Sequence, residues 1–283
     1  SGCPLCRGGY EVNCFVYEGV QSYVENADWY LVQNTVENIK NIIKEEKKVL
    51  VKELSEKFNV SESMIRKDLQ RLEKEGKVKR TYGGAILERE SSYAEKTNSR
   101  VLVDLESKSY LGKLVVDIIE DNDIIFLDIS TTNHTIAMML SDTKKNLTVI
   151  TNMNRIAMEF DRAPNVDVIL IGGHYNKRLG GTVGSAAVEQ IKNFKITKAF
   201  IGAGGINVED NFISNFNYDE AAVKNEILRC SKRRYIVANY EKLYKDGAYK
   251  FATLDDIDYI VTEKEPEESI KEILNQKEVK VIC

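Results

Sequence analysis

Apolar residues recur at helical spacing over two adjoining stretches in the first third of the chain. In the first stretch Val51, Leu54 and Phe58 lie at i, i+3 and i+7, which places them on one face of a helix. Asn59 and Val60 interrupt this period before it resumes. The apolar face of the second stretch is formed by Ile65, Leu69 and Leu72. Two helices joined by so short a turn predict a helix-turn-helix unit.

Local signals delimit the second helix and extend the unit. Ser61 can cap the helix by accepting a hydrogen bond from a free backbone N–H. Gly76 is expected to end it, because glycine takes the left-handed conformation after a helix at little cost. The stretches 77–81 and 85–87 bracket Gly83-Gly84, which predicts a β-hairpin with its turn at the two glycines. A preceding amphipathic helix, completing a three-helix core, is predicted from Val36, Ile39, Ile42 and Ile43.

The outer face of the second helix carries polar and basic side chains. Between Arg66 and Arg80 there are seven basic and three acidic residues, a local net charge of +4 in a chain of net charge −4. A basic patch on an acidic protein is typical of a nucleic-acid-binding surface; the alternative is a charged helix pair without a ligand. The hairpin would be a wing that contacts phosphates. Contacts to DNA are expected from Ser61, Ser63, Arg66, Lys67, Gln70, Arg71, Lys74, Lys79 and Arg80.

The stretch NVSESMIRKDLQRLEKEGKVKRTYGGA over 59–85 resembles the DNA-binding signature of DeoR-type bacterial repressors. Met64 stands where that family usually has Thr, and Lys67 where it usually has Arg; neither change removes the basic face. The resemblance implies a winged helix-turn-helix domain over 34–90 that binds double-stranded operator DNA.

From about Ser107 helical and strand patterns alternate. Short apolar runs such as 123–128 and 147–151 alternate with helical stretches such as 111–119 and 186–194. This alternation predicts a parallel sheet covered by helices on both faces. The predicted fold is therefore α/β, with the small winged helix-turn-helix domain followed by a larger domain over 107–283 with a mostly parallel sheet. Residues 91–106 are largely polar and predict a linker between the two.

Composition narrows the class of protein. A chain of 283 residues, 43% apolar and 30% charged, is expected to form two globular domains. No apolar run approaches the roughly 18 residues of a membrane span, and no stretch has the shape of a secretory signal, so we expect no membrane partner. Five cysteines without an export signal favour reduced thiols and a cytoplasmic protein.

Residues 1–33 fit neither domain and predict a leader of unknown role. Cys3, Cys6 and Cys14 include one C-x-x-C, whereas a zinc site needs four ligands, and the only histidines are the distant His134 and His174. The sequence therefore predicts no metal site and no cofactor.

Polar and glycine residues collect where the predicted strands of the second domain end. In parallel sheets ligands bind outside the carboxyl ends of the strands. A helix start rich in hydroxyl groups favours phosphate, and paired glycines allow a ligand to approach the backbone. Taken singly, these features also fit a helix cap and tight turns; taken together, they favour a ligand pocket. They are Ser130, Thr131 and Thr132, with the pairs Gly172-Gly173 and Gly204-Gly205.

The second domain also resembles the DeoR family, whose sensor domain is similar in fold to sugar-phosphate isomerases such as ribose-5-phosphate isomerase. The resemblance implies a phosphorylated sugar or related metabolite as effector. It departs at 239–242, which read Asn-Tyr-Glu-Lys where the family commonly has Asp-Ser-Ser-Lys. The implied effector residues are Asp128, Ser130, Thr131, Thr132, Thr151, Asn152, Gly172, Gly173, Gly204, Gly205, Glu220, Lys224 and Lys242.

We therefore expect a transcriptional regulator, a repressor of sugar or related carbon metabolism genes that its effector releases from DNA, with no catalytic residue. It is expected to work as a homo-oligomer, a dimer or tetramer, because one helix-turn-helix reads only a few base pairs. The alternative is a sugar-phosphate isomerase-like enzyme with an N-terminal interaction module, in which Asp219, Glu220 and Lys242 supply acid–base chemistry.

Overall fold

The computed structural model describes residues 35–43, 46, 48–87, 90–91 and 104–283. The chain divides into two compact units between Glu88 and Arg89. The predicted leader over 1–33, its cysteines, and residues 92–103 of the predicted linker lie outside the described residues. Leu105 already belongs to a helix, so the second unit becomes helical two residues before the predicted domain start at Ser107. Among the described helices, none is long and apolar enough to cross a bilayer.

The first unit is a winged helix-turn-helix, as predicted. Its three helices bury one apolar cluster that includes Ile39, Leu54, Ile65 and Leu72. Three strands, numbered along the chain, form an antiparallel sheet in the order β1-β3-β2. The elements are α1 (35–43), β1 (Lys48–Leu50), α2 (Val51–Phe58), α3 (Glu62–Lys74), β2 (Val78–Thr81) and β3 (Gly84–Leu87).

Both ends of α3 agree with the sequence prediction. At its start the Ser61 side chain accepts a hydrogen bond from Met64 N–H at 3.3 Å. At its end Gly76 has a φ of +66°, the left-handed region. The N–H groups of Gly76 and Lys77 then donate to the otherwise unpaired carbonyls of Glu73 and Leu72, at 3.0 and 2.9 Å. Helix α3 is therefore fixed at both ends by the residues that its sequence supplies.

The wing turn differs from the prediction by one residue. The turn is made by Tyr82 and Gly83, whereas Gly84 is the first residue of β3 and pairs with Thr81. Gly84 is needed for another reason: a Cβ there would lie 2.0 Å from the carbonyl oxygen of Val49 in β1. The prediction of a Gly83-Gly84 turn was wrong because β1, a strand of three residues, was not recognised.

The second unit contains six α-helices and fourteen strands among the residues described. The helices are α4 (Leu105–Ile118), α5 (Thr131–Leu140), α6 (Asn154–Glu159), α7 (Ser185–Ile191), α8 (Tyr218–Arg229) and α9 (Glu268–Gln276). The strands are β4 (Glu90–Ser91), β5 (Ile124–Leu127), β6 (Leu147–Thr151), β7 (Val166–Leu170), β8 (His174–Asn176), β9 (Gly181–Val183), β10 (Ile196–Gly202), β11 (Gly205–Asn207), β12 (Phe212–Asn215), β13 (Ser231–Val237), β14 (Lys245–Asp246), β15 (Tyr249–Ala252), β16 (Tyr259–Val261) and β17 (Lys280–Ile282). Short 3-10 helices cover Tyr240–Tyr244 and Leu254–Asp256.

A parallel sheet of seven strands, ordered β17-β16-β13-β10-β5-β6-β7, forms the centre of this unit. Consecutive residues Ile125, Phe126 and Leu127 in β5 are all fully buried. Since neighbouring residues of a strand point to opposite faces, both faces of the sheet are covered. The predicted α/β fold with a mostly parallel sheet is confirmed.

The smaller strand pairings were not predicted. Strands β11, β12 and β15 form an antiparallel sheet, β8 pairs with β9, and β4 pairs with β14. All of these strands have two to four residues, too few to show a period. Strands β8 and β9 follow β7 along the chain, and β11 and β12 follow β10, where the sequence had suggested only glycine-rich loops.

Candidate functional site

The outer face of α3 is exposed and mostly polar. At about 100° per residue, Ser63, Lys67, Gln70 and Lys74 lie opposite the buried face, while Arg66 and Arg71 lie on its two flanks. Every residue that the sequence predicted for DNA contact is exposed. The structure therefore brings these side chains, with Lys79 and Arg80 of the wing, to the surface of the first unit.

Ion pairs divide the basic residues of this surface into two groups. Three arginines are held by glutamates: Arg66 by Glu62 at 2.7 Å, Arg71 by Glu75 at 3.2 Å, and Arg80 by Glu73 at 3.2 Å. By contrast, no ion pair joins Lys67, Lys74 or Lys79 to any residue in the described part of the chain. These three lysines present the uncompensated positive charge.

The acidic residues of α3 leave the charge of these three lysines uncompensated. Asp68 is buried with the apolar stripe, and burial raises the pKa of its carboxyl group, although the nearby Arg71 charge lowers it. Glu73 and Glu75 are engaged with arginines. The local excess of positive charge therefore faces outward, as a phosphate-binding surface requires.

At the carboxyl edge of the central sheet, Asp128 and Lys224 form a buried ion pair. Asp128 is 1% exposed and Lys224 is 2% exposed, and the Lys224 ammonium donates to Asp128 Oδ2. The ammonium also donates to the Gly202 carbonyl at 2.9 Å and lies 3.2 Å from Glu220 Oε1. Burial by itself would lower the pKa of Lys224, but the carboxylates of Asp128 and Glu220 raise it. Asp128, Glu220 and Lys224, which were all predicted for the effector site, are thus in direct contact.

Asn133 completes this network, although it was not among the predicted site residues. Its Nδ2 donates to Asp128 Oδ1 and to the Phe200 carbonyl, each at 2.7 Å. Asp128 Oδ1 also accepts from Gly202 N–H at 3.1 Å. The network therefore ties the ends of β5 and β10 to α5 and α8. The only sequence signal was the position of Asn133 within Thr131-Thr132-Asn133, after a strand.

The N-terminus of α5 lies beside this network and is capped by Ser130. The Ser130 hydroxyl accepts from Thr132 N–H at 3.2 Å and Asn133 N–H at 3.4 Å. The helix-cap interpretation is therefore correct, and fewer N–H groups remain for an anion than the sequence suggested. The Thr131 and Thr132 hydroxyls make no hydrogen bond within the ranges described. They remain the groups of this stretch that a ligand can use.

Thr151 and Asn152 follow β6 and are buried. Thr151 accepts a hydrogen bond from Met153 N–H at 3.1 Å, and Asn152 Nδ2 donates to the Thr182 carbonyl at 2.9 Å. The Oδ1 atom of Asn152 is buried without a hydrogen-bond partner among the described residues. Asn152 thus holds β9 at the sheet edge with one half of its amide group.

The glycine pairs are explained by packing within the protein. A Cβ on Gly205 would lie 2.0 Å from the Lys245 carbonyl oxygen, and one on Gly204 would lie 2.7 Å from the Phe216 ring. A Cβ on Gly173 would lie 3.1 Å from the Val183 carbonyl oxygen, and Gly172 N–H donates to the Gln190 side chain at 3.0 Å. Close packing within the protein accounts for Gly173, Gly204 and Gly205 without a ligand.

Lys242 lies away from Gly172 and Gly173 along the sheet edge. It is half-buried in the 3-10 helix Tyr240–Tyr244, which follows β13. Strands β13 and β7 are separated by β10, β5 and β6. At about 4.8 Å per strand, their positions are about 19 Å apart. One small ligand therefore cannot contact both Lys242 and Gly172-Gly173, and Asp128, Ser130 and Thr132 follow β5, which lies midway between β13 and β7.

A second location, a surface cleft of about 350 Å³, lies between β12, α8 and β15. Its polar groups are largely bonded within the protein: Asn225 Nδ2 donates to the Phe251 carbonyl at 2.8 Å, and Asn211 bonds Leu254 N–H and Asp255. The Lys250 ammonium lies 4.0 Å from the Phe212 ring centre.

Both parts of the chain match known families. Residues 36–91 match the DeoR-like helix-turn-helix domain, and residues 103–264 match the DeoR C terminal sensor domain. Among solved structures, ribose 5-phosphate isomerase A from Methanocaldococcus jannaschii has a TM-score of 0.36 and 12% identity, covering 48% of this chain and 52% of its own.

Relatives align over most of the chain. The HTH-type transcriptional repressor GlcR of Bacillus subtilis is 27% identical over 86% of this chain and 93% of its own. The glycerol-3-phosphate regulon repressor of Escherichia coli is 27% identical over 85% and 94%, respectively. The HTH-type transcriptional regulator FruR of Bacillus subtilis is 30% identical over 77% and 85%. The chain therefore belongs to the DeoR family of DNA-binding transcriptional repressors, with a helix-turn-helix domain and a C-terminal sensor domain, and it is a regulator rather than an enzyme.

Proposed function

We propose that this repressor reads its operator with the outer face of α3 and the wing, and that a phosphorylated sugar bound by the second unit releases it. The observation that carries the effector proposal is the N-terminus of α5. There the Thr131 and Thr132 hydroxyls, which no hydrogen bond joins to the described residues, lie beside the buried pair of Asp128 and Lys224. A helix N-terminus attracts phosphate through its dipole and its N–H groups.

In this proposal the residues of the sheet edge have separate tasks. Thr131 and Thr132 bind the phosphate, and Ser130 holds the helix start in place. Asp128, Asn133, Glu220 and Lys224 form the floor of the site, because their side chains are bonded to one another. Thr151, Asn152 and Lys242 flank the site on its two sides. Gly172, Gly173, Gly204 and Gly205 shape the loops by their packing.

The test places a carboxylate where the phosphate is proposed to bind. In Thr132→Glu, operator DNA should bind as in the wild type, but triose, pentose and hexose phosphates should no longer release it. The matched control is Ser141→Glu, which adds the same charge at the opposite end of α5 and should respond normally. The assay is fluorescence anisotropy of labelled operator DNA with each phosphate titrated. A normal response of Thr132→Glu to an effector of the wild type contradicts the proposed site.

The release mechanism requires two states with different affinities for the effector. A ligand shifts such an equilibrium only by its differential affinity, and couplings of about 1–3 kcal/mol are usual. The expected direction is release from DNA and hence derepression. Genes of sugar or related carbon metabolism are the proposed targets.

We further propose that the working unit is a symmetric homo-oligomer, at least a dimer. A single recognition helix contacts only a few base pairs, and specific sites in a genome need greater discrimination. Sedimentation velocity of the full chain at micromolar concentration, free and with operator DNA, measures this directly. A monomer under both conditions contradicts the proposal.

A further inference from the structure

Asn215 is a buried amide that no hydrogen bond joins to any other described residue. It ends β12 and is 2% exposed, and neither its Oδ1 nor its Nδ2 is bonded within the described part of the chain. The adjacent Ser214 is fully engaged: its hydroxyl donates to the Gly205 carbonyl at 3.3 Å and accepts from Gly247 N–H at 2.8 Å. A buried amide that lacks both kinds of partner destabilises a fold, so its presence calls for another explanation.

The backbone places Asn215 at the same sheet edge as the phosphate site. Gly204 N–H donates to the Ser214 carbonyl at 2.8 Å, and a Cβ on Gly204 would lie 3.1 Å from Asn215 Cα. Two residues earlier, a Cβ on Gly202 would lie 2.7 Å from the Ser130 hydroxyl. The segment from Gly202 to Gly204 spans at most about 7 Å. Asn215 and the Ser130 cap therefore lie at its two ends.

The strand that ends at Asn215 is enclosed by the protein. Ile213, Ser214 and Asn215 are all buried, and the pairing of β12 with β15 shifts register between Ile213 and Ser214. The chain then runs directly into α8, which Asn217 caps and which carries Lys224. Because Lys224 donates to the Gly202 carbonyl, this helix connects Asn215 to the floor of the proposed site.

We propose that Asn215 is a specificity-determining residue that hydrogen-bonds hydroxyl groups of the effector; this rests on the proposed function. A carboxamide offers an acceptor and two donors. One hydroxyl donates to Oδ1 while its neighbour accepts from Nδ2, an arrangement that fits a vicinal diol. The ligand is then a phosphate ester with adjacent hydroxyls, and inorganic phosphate alone satisfies only half of the site. A site built to bond a hydroxyl discriminates strongly against a ligand that lacks it.

The experiment compares two buried asparagines of the same small sheet in the full chain. Asn215→Leu removes the unpartnered amide. The matched control is Asn207→Leu, because Asn207 is 3% exposed but bonded: Nδ2 donates to Asp210 Oδ2 at 3.1 Å and Oδ1 accepts from Asp210 N–H at 2.9 Å. The probes are glycerol 3-phosphate, ribose 5-phosphate, fructose 1-phosphate and fructose 6-phosphate, with inorganic phosphate as reference. Calorimetry measures affinity, and a thermal melt without ligand measures stability.

Asn215→Leu should weaken binding of the tightest sugar phosphate at least about tenfold and leave inorganic phosphate unchanged. Its melting temperature without ligand should equal or exceed that of the wild type, since an unpaired polar group is replaced by an apolar one. Asn207→Leu should melt lower and bind normally. Asn215→Ala, which leaves space instead of filling it, should show the same loss of affinity.

Two results overturn the role of Asn215 while the proposed function stands. The first is unchanged sugar-phosphate affinity in both Asn215 variants. The second is a loss of melting temperature in Asn215→Leu like that in Asn207→Leu, together with an equal loss for inorganic phosphate. If no sugar phosphate binds the wild type, the proposed function fails, and the role of Asn215 fails with it.

Discussion

The carboxylate of Glu73 in α3 holds Arg80 in the wing by two contacts. It accepts a hydrogen bond from Arg80 N–H at 3.0 Å and lies 3.2 Å from the Arg80 guanidinium. One side chain therefore fixes β2 against the recognition helix and compensates the Arg80 charge. The neighbouring Lys79 has no such partner among the residues described. Two adjacent basic residues of the wing thus present different net charges to DNA.

The two wing residues should differ in the salt dependence of DNA binding. Lys79→Ala should reduce the slope of log K against log salt by about 0.9, the value for one phosphate contact on duplex DNA. Arg80→Ala should reduce it by less, because Glu73 already compensates that charge. Anisotropy titrations at several salt concentrations measure both slopes. Equal reductions in the two variants would show that Glu73 releases Arg80 on the DNA.

Arg66 should contribute directly to operator recognition. Arg66→Ala should cost about 1–3 kcal/mol of binding to the cognate site if its guanidinium contacts a base edge. The control is Glu62→Ala, which removes the 2.7 Å ion pair of Arg66 and should leave operator affinity unchanged or improved. An exposed pair of this kind contributes only about 0.3–0.5 kcal/mol to the helix. Wild-type affinity in Arg66→Ala would exclude this residue from the DNA-contacting set.

Removing the buried lysine should destabilise the second unit. Lys224→Met leaves Asp128 charged and buried, a change that typically costs about 3–5 kcal/mol. Glu220→Gln should cost less, since Lys224 keeps its contact with Asp128. Denaturant unfolding at neutral pH measures the free energy of unfolding of each variant. Wild-type stability of Lys224→Met would mean that the pair is not needed for folding.

Alkaline pH tests the same pair. Burial alone would lower the pKa of Lys224, but Asp128 and Glu220 raise it above the usual lysine value. A raised folded-state pKa stabilises the protein fully below about pH 10.4, and this stabilisation is lost as pH rises through the folded-state value. The free energy of unfolding should therefore fall above about pH 10.4 in the wild type and less steeply in Lys224→Met. Parallel pH curves would contradict this.

Acid pH should act through Asp258. Burial would raise the pKa of this carboxyl, but hydrogen bonds from Arg234, at 2.8 Å from Nη2 and 3.0 Å from Nε, lower it. A lowered folded-state pKa stabilises the protein above about pH 3.9, and this stabilisation is lost as pH falls through the folded-state value. Asp258→Asn should thus be less stable at neutral pH and lose less on acidification below about pH 4. Urea unfolding at a series of pH values checks both effects.

The helix-turn-helix could be predicted because its signals are local. The cap at Ser61, the stop at Gly76 and the stripe of Ile65, Leu69 and Leu72 all act within one or two helical turns. The same is true of the apolar runs that became the central strands of the parallel sheet, since β5 and β10 carry consecutive buried residues. Helix caps, helix stops and hydrophobic periodicity depend only on residues that are close in the sequence. A single sequence is therefore enough to predict these elements.

The contacts that shape the sensor site depend on residues distant in the chain. Asp128 and Lys224 are separated by 96 positions, and no local pattern shows that they meet rather than face a ligand. Gly84 and Gly205 looked like turn or ligand-approach glycines, yet each is required by a backbone carbonyl from a strand elsewhere in its unit. Asn215 carried no sequence signal, because its burial and its lack of a bonding partner among the described residues depend on which residues pack around it in the fold. Periodicity therefore reveals which elements form, whereas the partner of each buried polar group follows from how the elements pack.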